Sequence, residues 1–123
     1  MNDIKLMNKA ADNIRILAAS MVEKAKSGHP GGAMGGADFV NVLFSEFLVY
    51  DPKNPAWEGR DRYFQDPGHM SPMLYSVLAL AGKFTIDELK EFRQWGSVTP
   101  GHPEVNVMRG IENTSGPLGQ GHT

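Results

Sequence analysis

The sequence has no cysteine in its 123 residues. This absence excludes disulfide bonds, cysteine-based metal sites and catalysis by a thiolate. No apolar run is long enough to span a bilayer, and the N-terminus lacks the charged-then-apolar layout of a signal peptide. We therefore expect a soluble protein in the cytoplasm, with no membrane partner.

A strong charge of one sign is also absent. The 12 basic and 14 acidic residues give a formal net charge of -2. No basic cluster or basic stripe with interleaved aromatic residues is visible, so nucleic acid is not an expected partner. The length suits one domain of ordinary size.

Glycine, by contrast, is abundant: it occupies 14 positions, above its usual share of about 7%. All four histidines, His29, His69, His102 and His122, directly follow a glycine. Two of them then precede a proline, which restricts the histidine to an extended conformation. Glycine allows the backbone to approach a ligand closely. The pattern predicts rigid loops that each direct an imidazole.

A single Gly-His-Pro loop is more often an ordinary turn, but the repeated pairing favours a shared site for His29, His69 and His102. Metal ligation by these histidines is disfavoured, because none lie at helical i, i+4 spacing and few carboxylates are near them in sequence. Imidazoles titrate near neutral pH and suit proton transfer with the hydroxyl groups of a sugar. We assign no role to His122.

Apolar residues recur at spacings of three and four over residues 7–25, which predicts an amphipathic helix. Gly28 is placed to end this helix. A second helix is predicted over residues 33–48. The short aromatic stretch 62–65 is bounded by turn residues and predicts a strand.

Ser71 as a cap and Pro72 as the first helical residue predict a third helix, with Gly82 as its stop. Residues 85–88 match the capping box of a further short helix. From residue 95 onward, glycine and proline leave little room for regular structure. The chain is predicted to be mostly α-helical, with one or two strands and a long irregular C-terminal tail.

Four segments of this sequence occur in the order that is typical of one enzyme family. They are Ser-Gly-His-Pro-Gly at 27–31, Asp-Arg-Tyr leading to Gly-His at 61–69, Thr-Pro-Gly-His-Pro-Glu at 99–104, and Ser-Gly-Pro-Leu-Gly-Gln-Gly at 115–121. Together they resemble the transketolase family, and the match runs over essentially the whole chain. The ordered set is more specific than any single motif.

The resemblance implies an α/β parent fold that binds thiamine diphosphate, with a parallel sheet and helices on both faces. Residues 1–123 would be a partial N-terminal diphosphate-binding domain, truncated before the Gly-Asp-Gly motif that holds magnesium. The family reaction transfers a two-carbon ketol unit between ketose and aldose phosphates in the pentose phosphate pathway. By resemblance, the complete enzyme is a homodimer that supplies the missing remainder of the site.

The resemblance also implies roles for individual residues. His29 and His102 would be catalytic, contacting the sugar and assisting its proton transfers. The cofactor-binding residues would be His69 at the diphosphate end, and Gly116, Pro117 and Leu118 along the aminopyrimidine and thiazolium rings. No metal ligand is assigned in this chain.

Two alternatives stay open from the sequence. The first is a related thiamine-diphosphate enzyme, such as a dihydroxyacetone synthase or a 1-deoxyxylulose-phosphate synthase. The second is a non-catalytic helical interaction module, which would explain none of the Gly-His pairs. In the transketolase interpretation this chain alone is expected to be inactive and to bind the cofactor weakly or not at all.

Overall fold

The computed structural model describes residues 2–118, and α-helices form most of the regular structure in that part of the chain. The mostly helical composition that the sequence predicts is confirmed. A π-helical turn at Leu43–Phe47 and 3-10 turns at Gly68–Met70 and Val107–Arg109 add to it. The helices are α1 (Ile4–Ala25), α2 (Pro30–Gly35), α3 (Ala37–Val42), α4 (Ser71–Leu80) and α5 (Ile86–Lys90).

Helix α1 follows from its apolar periodicity, because its buried residues fall three and four positions apart: Ala11, Ile14, Ala18 and Met21. The prediction that Gly28 ends this helix is wrong. The left-handed residue at its end is Lys26, with φ of 52°, and its backbone N–H donates to the carbonyl of Glu23 at 3.2 Å. Gly28 instead has a φ of +129° in the turn that leads to His29.

The predicted second helix begins earlier than residue 33 and is interrupted. It begins at Pro30, whose fixed φ suits the first helical position. It breaks at Gly36, where a Cβ would lie 2.6 Å from the sulfur of Met73. A side chain at this position would therefore displace Met73 of α4, and the chain then continues as α3 and the π-helical turn.

Helix α4 is the centre of the core. Its first eight residues are all buried, and it packs against α1, α2, α3 and α5. Gly82, with φ of +79°, follows its end as predicted. Ser71 is not the cap, because the helix already begins there and its hydroxyl donates elsewhere, to the carbonyl of Gly101 at 2.7 Å.

The predicted strand at residues 62–65 is wrong. The alternation of side chains is present, since Tyr63 and Gln65 face inward while Arg62 and Phe64 are exposed. However, the backbone of Gln65 pairs with a side chain: its N–H donates to the amide oxygen of Asn113 at 3.1 Å. An amide side chain thus replaces a neighbouring strand. Within residues 2–118 the β-pairing is one isolated antiparallel bridge, between residues 106 and 111.

The irregular tail is confirmed for its described part, and it is anchored to the helices. Arg60 and Glu112 form an ion pair with side chains 9% and 8% exposed. Arg109 donates to Glu88 at 2.7 Å and to the carbonyl of Lys83 at 3.2 Å. These charged contacts hold the tail beside α4 and α5. No helix among the described residues has the length and apolar character needed to cross a membrane.

Glu88 provides a test of this anchoring. The predicted capping box with Thr85 is confirmed. Hydrogen bonds, first from Arg109 and then from the Thr85 backbone, lower the pKa of Glu88 to about 2 from an ordinary 4.5. Its charge therefore stabilises the fold above pH 4.5, and this contribution is lost as the pH falls towards 2.

We expect Glu88→Gln to lower the free energy of unfolding by about 1 kcal/mol at pH 7, since this ion pair is partly exposed and screened by solvent. Glutamine can retain the capping box, so the difference should shrink as the pH approaches 2. Urea denaturation at several pH values measures this, with exposed Glu91→Gln as the control. A difference that stays constant with pH would contradict the assignment.

Candidate active site at the histidine loops

Three histidines that are distant in sequence meet at one place. The ring centroids of His29 and His69 are 4.9 Å apart, in an edge-on arrangement with an interplanar angle of 67°. Burial lowers the pKa of His102, and the charges of Arg93, His29 and His69 lower it further. At neutral pH the imidazole of His102 is therefore neutral and able to accept a proton.

The His29 loop has the local geometry that its sequence predicts. His29 precedes Pro30 and is extended, with φ of -129° and ψ of 103°. Gly28 before it has a positive φ, and a Cβ there would lie 3.2 Å from Val22 and 3.3 Å from the ring of Phe92. The turn that presents this imidazole thus requires glycine for both conformation and space.

Helix α4 holds the His102 loop through two hydroxyl groups. Ser71 donates to the carbonyl of Gly101 and Tyr75 donates to the carbonyl of Pro100, each at 2.7 Å. The two donors are four residues apart and so lie on the same face of the helix. Consecutive carbonyls before His102 are therefore fixed to one buried helical turn.

His69 is held by the segment that carries the predicted cofactor-binding residues. Its backbone N–H donates to the carbonyl of Pro117 at 3.1 Å, and its ring Nδ1 lies 3.2 Å from the same oxygen. Because a carbonyl oxygen only accepts, Nδ1 carries the proton in this contact. In the neutral ring, Nε2 then has its lone pair available to a ligand.

The approach of this segment to Gly68 is close. A Cβ on Gly68 would lie 2.4 Å from the carbonyl oxygen of Gly116 and 2.7 Å from the hydroxyl of Ser115. The hydroxyl of Ser115 is buried and has no hydrogen-bond partner among the described residues. Leu118, in contrast, is 72% exposed. A buried hydroxyl without a partner beside His69 is suited to a polar ligand.

A cleft of about 810 Å³ lies beside His102 and is lined by Arg93, Trp95, Ser97 and Glu104, among others. In residues 2–118 no group of three or more histidine, aspartate or glutamate side chains is placed to hold a metal ion. Among the three histidines, His102 lines this open cleft.

The structure brings His29, His69 and His102 together and places Gly116 and Pro117 at His69, while the functional roles of these residues stay predictions. Residues 119–121 of the last motif, and His122, lie outside the described residues. Sequence reasoning did not find Ser71, Tyr75 or Arg93. The signal for the first two was their hydroxyl groups at i, i+4 spacing in a largely apolar helix, which also contains Ser76.

Imidazoles that converge from separate turns, one of them lining an open cleft, are typical of an enzyme site that binds a polar ligand. Comparison with known proteins identifies the family. Residues 6–123 match the family described as transketolase, thiamine diphosphate binding domain. This chain belongs to the transketolase family, within that domain, and the alternative of a helical interaction module is disfavoured.

Individual relatives agree with the family match. A transketolase of Buchnera aphidicola is 54% identical over 117 residues, which cover 94% of this chain and 18% of the relative. The crystal structure of transketolase from Campylobacter jejuni superposes with a TM-score of 0.88 at 47% identity, covering 95% of this chain and 18% of that one.

A transketolase from Pichia stipitis, solved in complex with sedoheptulose-7-phosphate, has a TM-score of 0.86 at 44% identity. That match covers 91% of this chain and 17% of the Pichia chain. The present chain therefore spans less than a fifth of the length of these relatives. Its helical composition is that of one segment of their thiamine-diphosphate-binding fold.

The close approach at Gly68 predicts the result of one substitution. Gly68→Ala forces a methyl group against the backbone at Gly116, so we expect a loss of about 1–3 kcal/mol in the free energy of unfolding. In the matched control, Gly35→Ala, the new Cβ meets nothing within 4 Å. This control should be neutral or stabilising by up to about 1 kcal/mol, since alanine favours helix.

Urea denaturation of both variants measures these differences. Equal stabilities for Gly68→Ala and Gly35→Ala would mean that the 115–117 segment does not lie against Gly68.

Proposed function

We propose that this chain is the N-terminal part of a transketolase, which transfers a two-carbon ketol unit from a ketose phosphate to an aldose phosphate in the pentose phosphate pathway. The observation that carries the proposal is the meeting of His29, His69 and His102, within a chain that belongs to this family. Such imidazoles suit the proton transfers that sugar hydroxyl groups require.

Sugar phosphates are the proposed substrates, supported by the Pichia relative that was solved with sedoheptulose-7-phosphate. His29 and His102 are the proposed catalytic residues. The neutral imidazole of His102 accepts a proton from a substrate hydroxyl, because burial and neighbouring positive charges disfavour its protonated form. His29, which directly precedes α2, contacts the same substrate from the loop at residues 27–29.

Thiamine diphosphate is the proposed cofactor, and the residues around His69 fit it. The unpartnered hydroxyl of Ser115 provides a polar group, and the contacts of His69 to the Pro117 carbonyl hold the imidazole next to this segment. His69 would lie at the diphosphate end, and Gly116, Pro117 and Leu118 would line the rings. When bound, the cofactor supplies the carbanion stabilisation that ketol transfer needs.

The proposal extends to three features of the complete protein. Magnesium would assist in binding the diphosphate, with ligands from the rest of the complete enzyme. The complete enzyme would be a homodimer, and its second domain would close the active site. We also propose a cytoplasmic location, as expected from the sequence analysis.

Ketol-transfer assays of the complete enzyme test the proposal. We expect activity with aldose phosphate acceptors, and a loss of about 10²- to 10⁴-fold in kcat/KM for His102→Ala or His29→Ala, the range typical of a lost acid–base group. The control is Lys9→Gln, since Lys9 is exposed on α1 and outside the four family motifs. The isolated chain is expected to show no transfer.

Two outcomes would contradict the proposal. Preference for formaldehyde as the acceptor would indicate a dihydroxyacetone synthase, an alternative that the transketolase relatives disfavour. Full activity in both histidine variants would remove His29 and His102 from the catalytic machinery.

A further inference from the structure

Arg93 lies between two of the histidine loops and has an unusual backbone conformation. Its φ is +62°, in the left-handed region that residues other than glycine seldom adopt. Its backbone N–H donates to the carbonyl of Thr99 at 3.1 Å. Thr99 is itself buried and donates its hydroxyl to the carbonyl of Glu88 at 3.1 Å. The backbone of Arg93 is thus fixed to the start of the segment that carries His102.

The side chain of Arg93 reaches the other loop. Its Nη1 donates to the hydroxyl of Ser27 at 2.8 Å, across 66 positions of sequence. Its guanidinium carbon lies 5.7 Å from the ring centroid of Phe92, within the range of a cation–π contact. Ser27 is two residues before His29. One side chain therefore connects the turn before His29 to the base of the His102 loop.

Both glycines that precede these histidines face this side chain. The Nε of Arg93 would lie 2.7 Å from a Cβ on Gly101 and 3.7 Å from a Cβ on Gly28. Nε is buried and has no hydrogen-bond partner among the described residues. Arg93 thus occupies the space that the absent side chains of Gly28 and Gly101 leave between the loops.

The charge of Arg93 also acts on the site. Arg93, His29 and His69 are the positive groups that act on His102, and Glu104 is a carboxylate lining the same cleft. A guanidinium remains charged at all relevant pH values. Its charge therefore opposes protonation of His102 throughout the working range.

We propose that Arg93 is a positioning residue of the candidate active site, which ties the Ser27–His29 loop to the Gly101–His102 loop and fixes the separation of the two imidazoles. The catalytic consequence rests on the proposed function. The connection that Arg93 makes between the two loops does not depend on the proposed function, because it is a property of the fold.

The tie itself is tested by hydrogen–deuterium exchange in the complete protein. In Arg93→Gln we expect faster amide exchange in both segments, 27–29 and 99–102. The glutamine side chain is shorter than arginine, so the hydrogen bond to Ser27 is lost. The matched control is Arg62→Gln, which removes the charge of an exposed arginine and should leave both segments unchanged. Unchanged exchange in Arg93→Gln overturns the tie, whatever the enzyme's activity.

The catalytic consequence is tested by steady-state kinetics of Arg93→Gln and Arg93→Lys. Displacing one reacting group by about 1 Å costs on the order of 10²-fold in rate, so we expect kcat to fall by about 10- to 100-fold in Arg93→Gln. KM for the sugar phosphate should change much less. Arg93→Lys keeps the charge but lacks the planar guanidinium with its several donors, so it should recover only part of kcat.

The pH profile distinguishes positioning from a general loss of stability. Removing a positive charge raises the pKa of His102, so the acidic limb of kcat/KM should move to higher pH in Arg93→Gln and remain near the wild-type position in Arg93→Lys. A rise in KM with unchanged kcat would make Arg93 a substrate-binding residue and overturn the proposal. If wild-type protein shows no ketol transfer but the exchange differences appear, the proposed function fails and the tie stands.

Discussion

Two hydroxyl groups on the first turn and a half of helix α4 determine how the histidine loops are arranged. Ser71 and Tyr75 donate to consecutive carbonyls before His102, and α4 is buried on all sides over these residues. Burial leaves these donors no water to bond, so the loop carbonyls are their partners. Because His69 lies two residues before Ser71, the same helical turn fixes the relative position of two imidazoles. His29 joins them through the turn at Gly28, which packs against Phe92 and Arg93.

The sequence patterns correctly predicted the features that depend on residues close together in the chain. The periodicity of α1, the capping box at Thr85 and the extended conformation of His29 before proline all depend on neighbours in sequence. The errors arose where a distant residue intervenes. Gly36, where the second helix is interrupted, lies against Met73, and the backbone N–H of Gln65 donates to the side chain of Asn113 and not to a strand. The contact of Arg93 with Ser27 was not predicted, because the residues next to Arg93 in sequence do not indicate that its side chain reaches so distant a residue.

The site combines groups whose charges repel one another. Burial lowers the pKa of His102, and the positive charges of Arg93, His29 and His69 lower it further. A neutral imidazole is the form that accepts a proton from a sugar hydroxyl. The backbone of Gly116 and the unpartnered hydroxyl of Ser115 pack against Gly68, next to His69. These features lie in a chain of the family described by its thiamine diphosphate binding domain.

The convergence of imidazoles from separate loops is tested most directly by nuclear Overhauser contacts between histidine ring protons. The measurement uses complete protein in which only histidines are protonated, with assignments from single His→Asn variants. Rings with centroids 4.9 Å apart should give a direct cross-peak between His29 and His69. Absence of that cross-peak, with both resonances sharp and assigned, would contradict the convergence of the two loops.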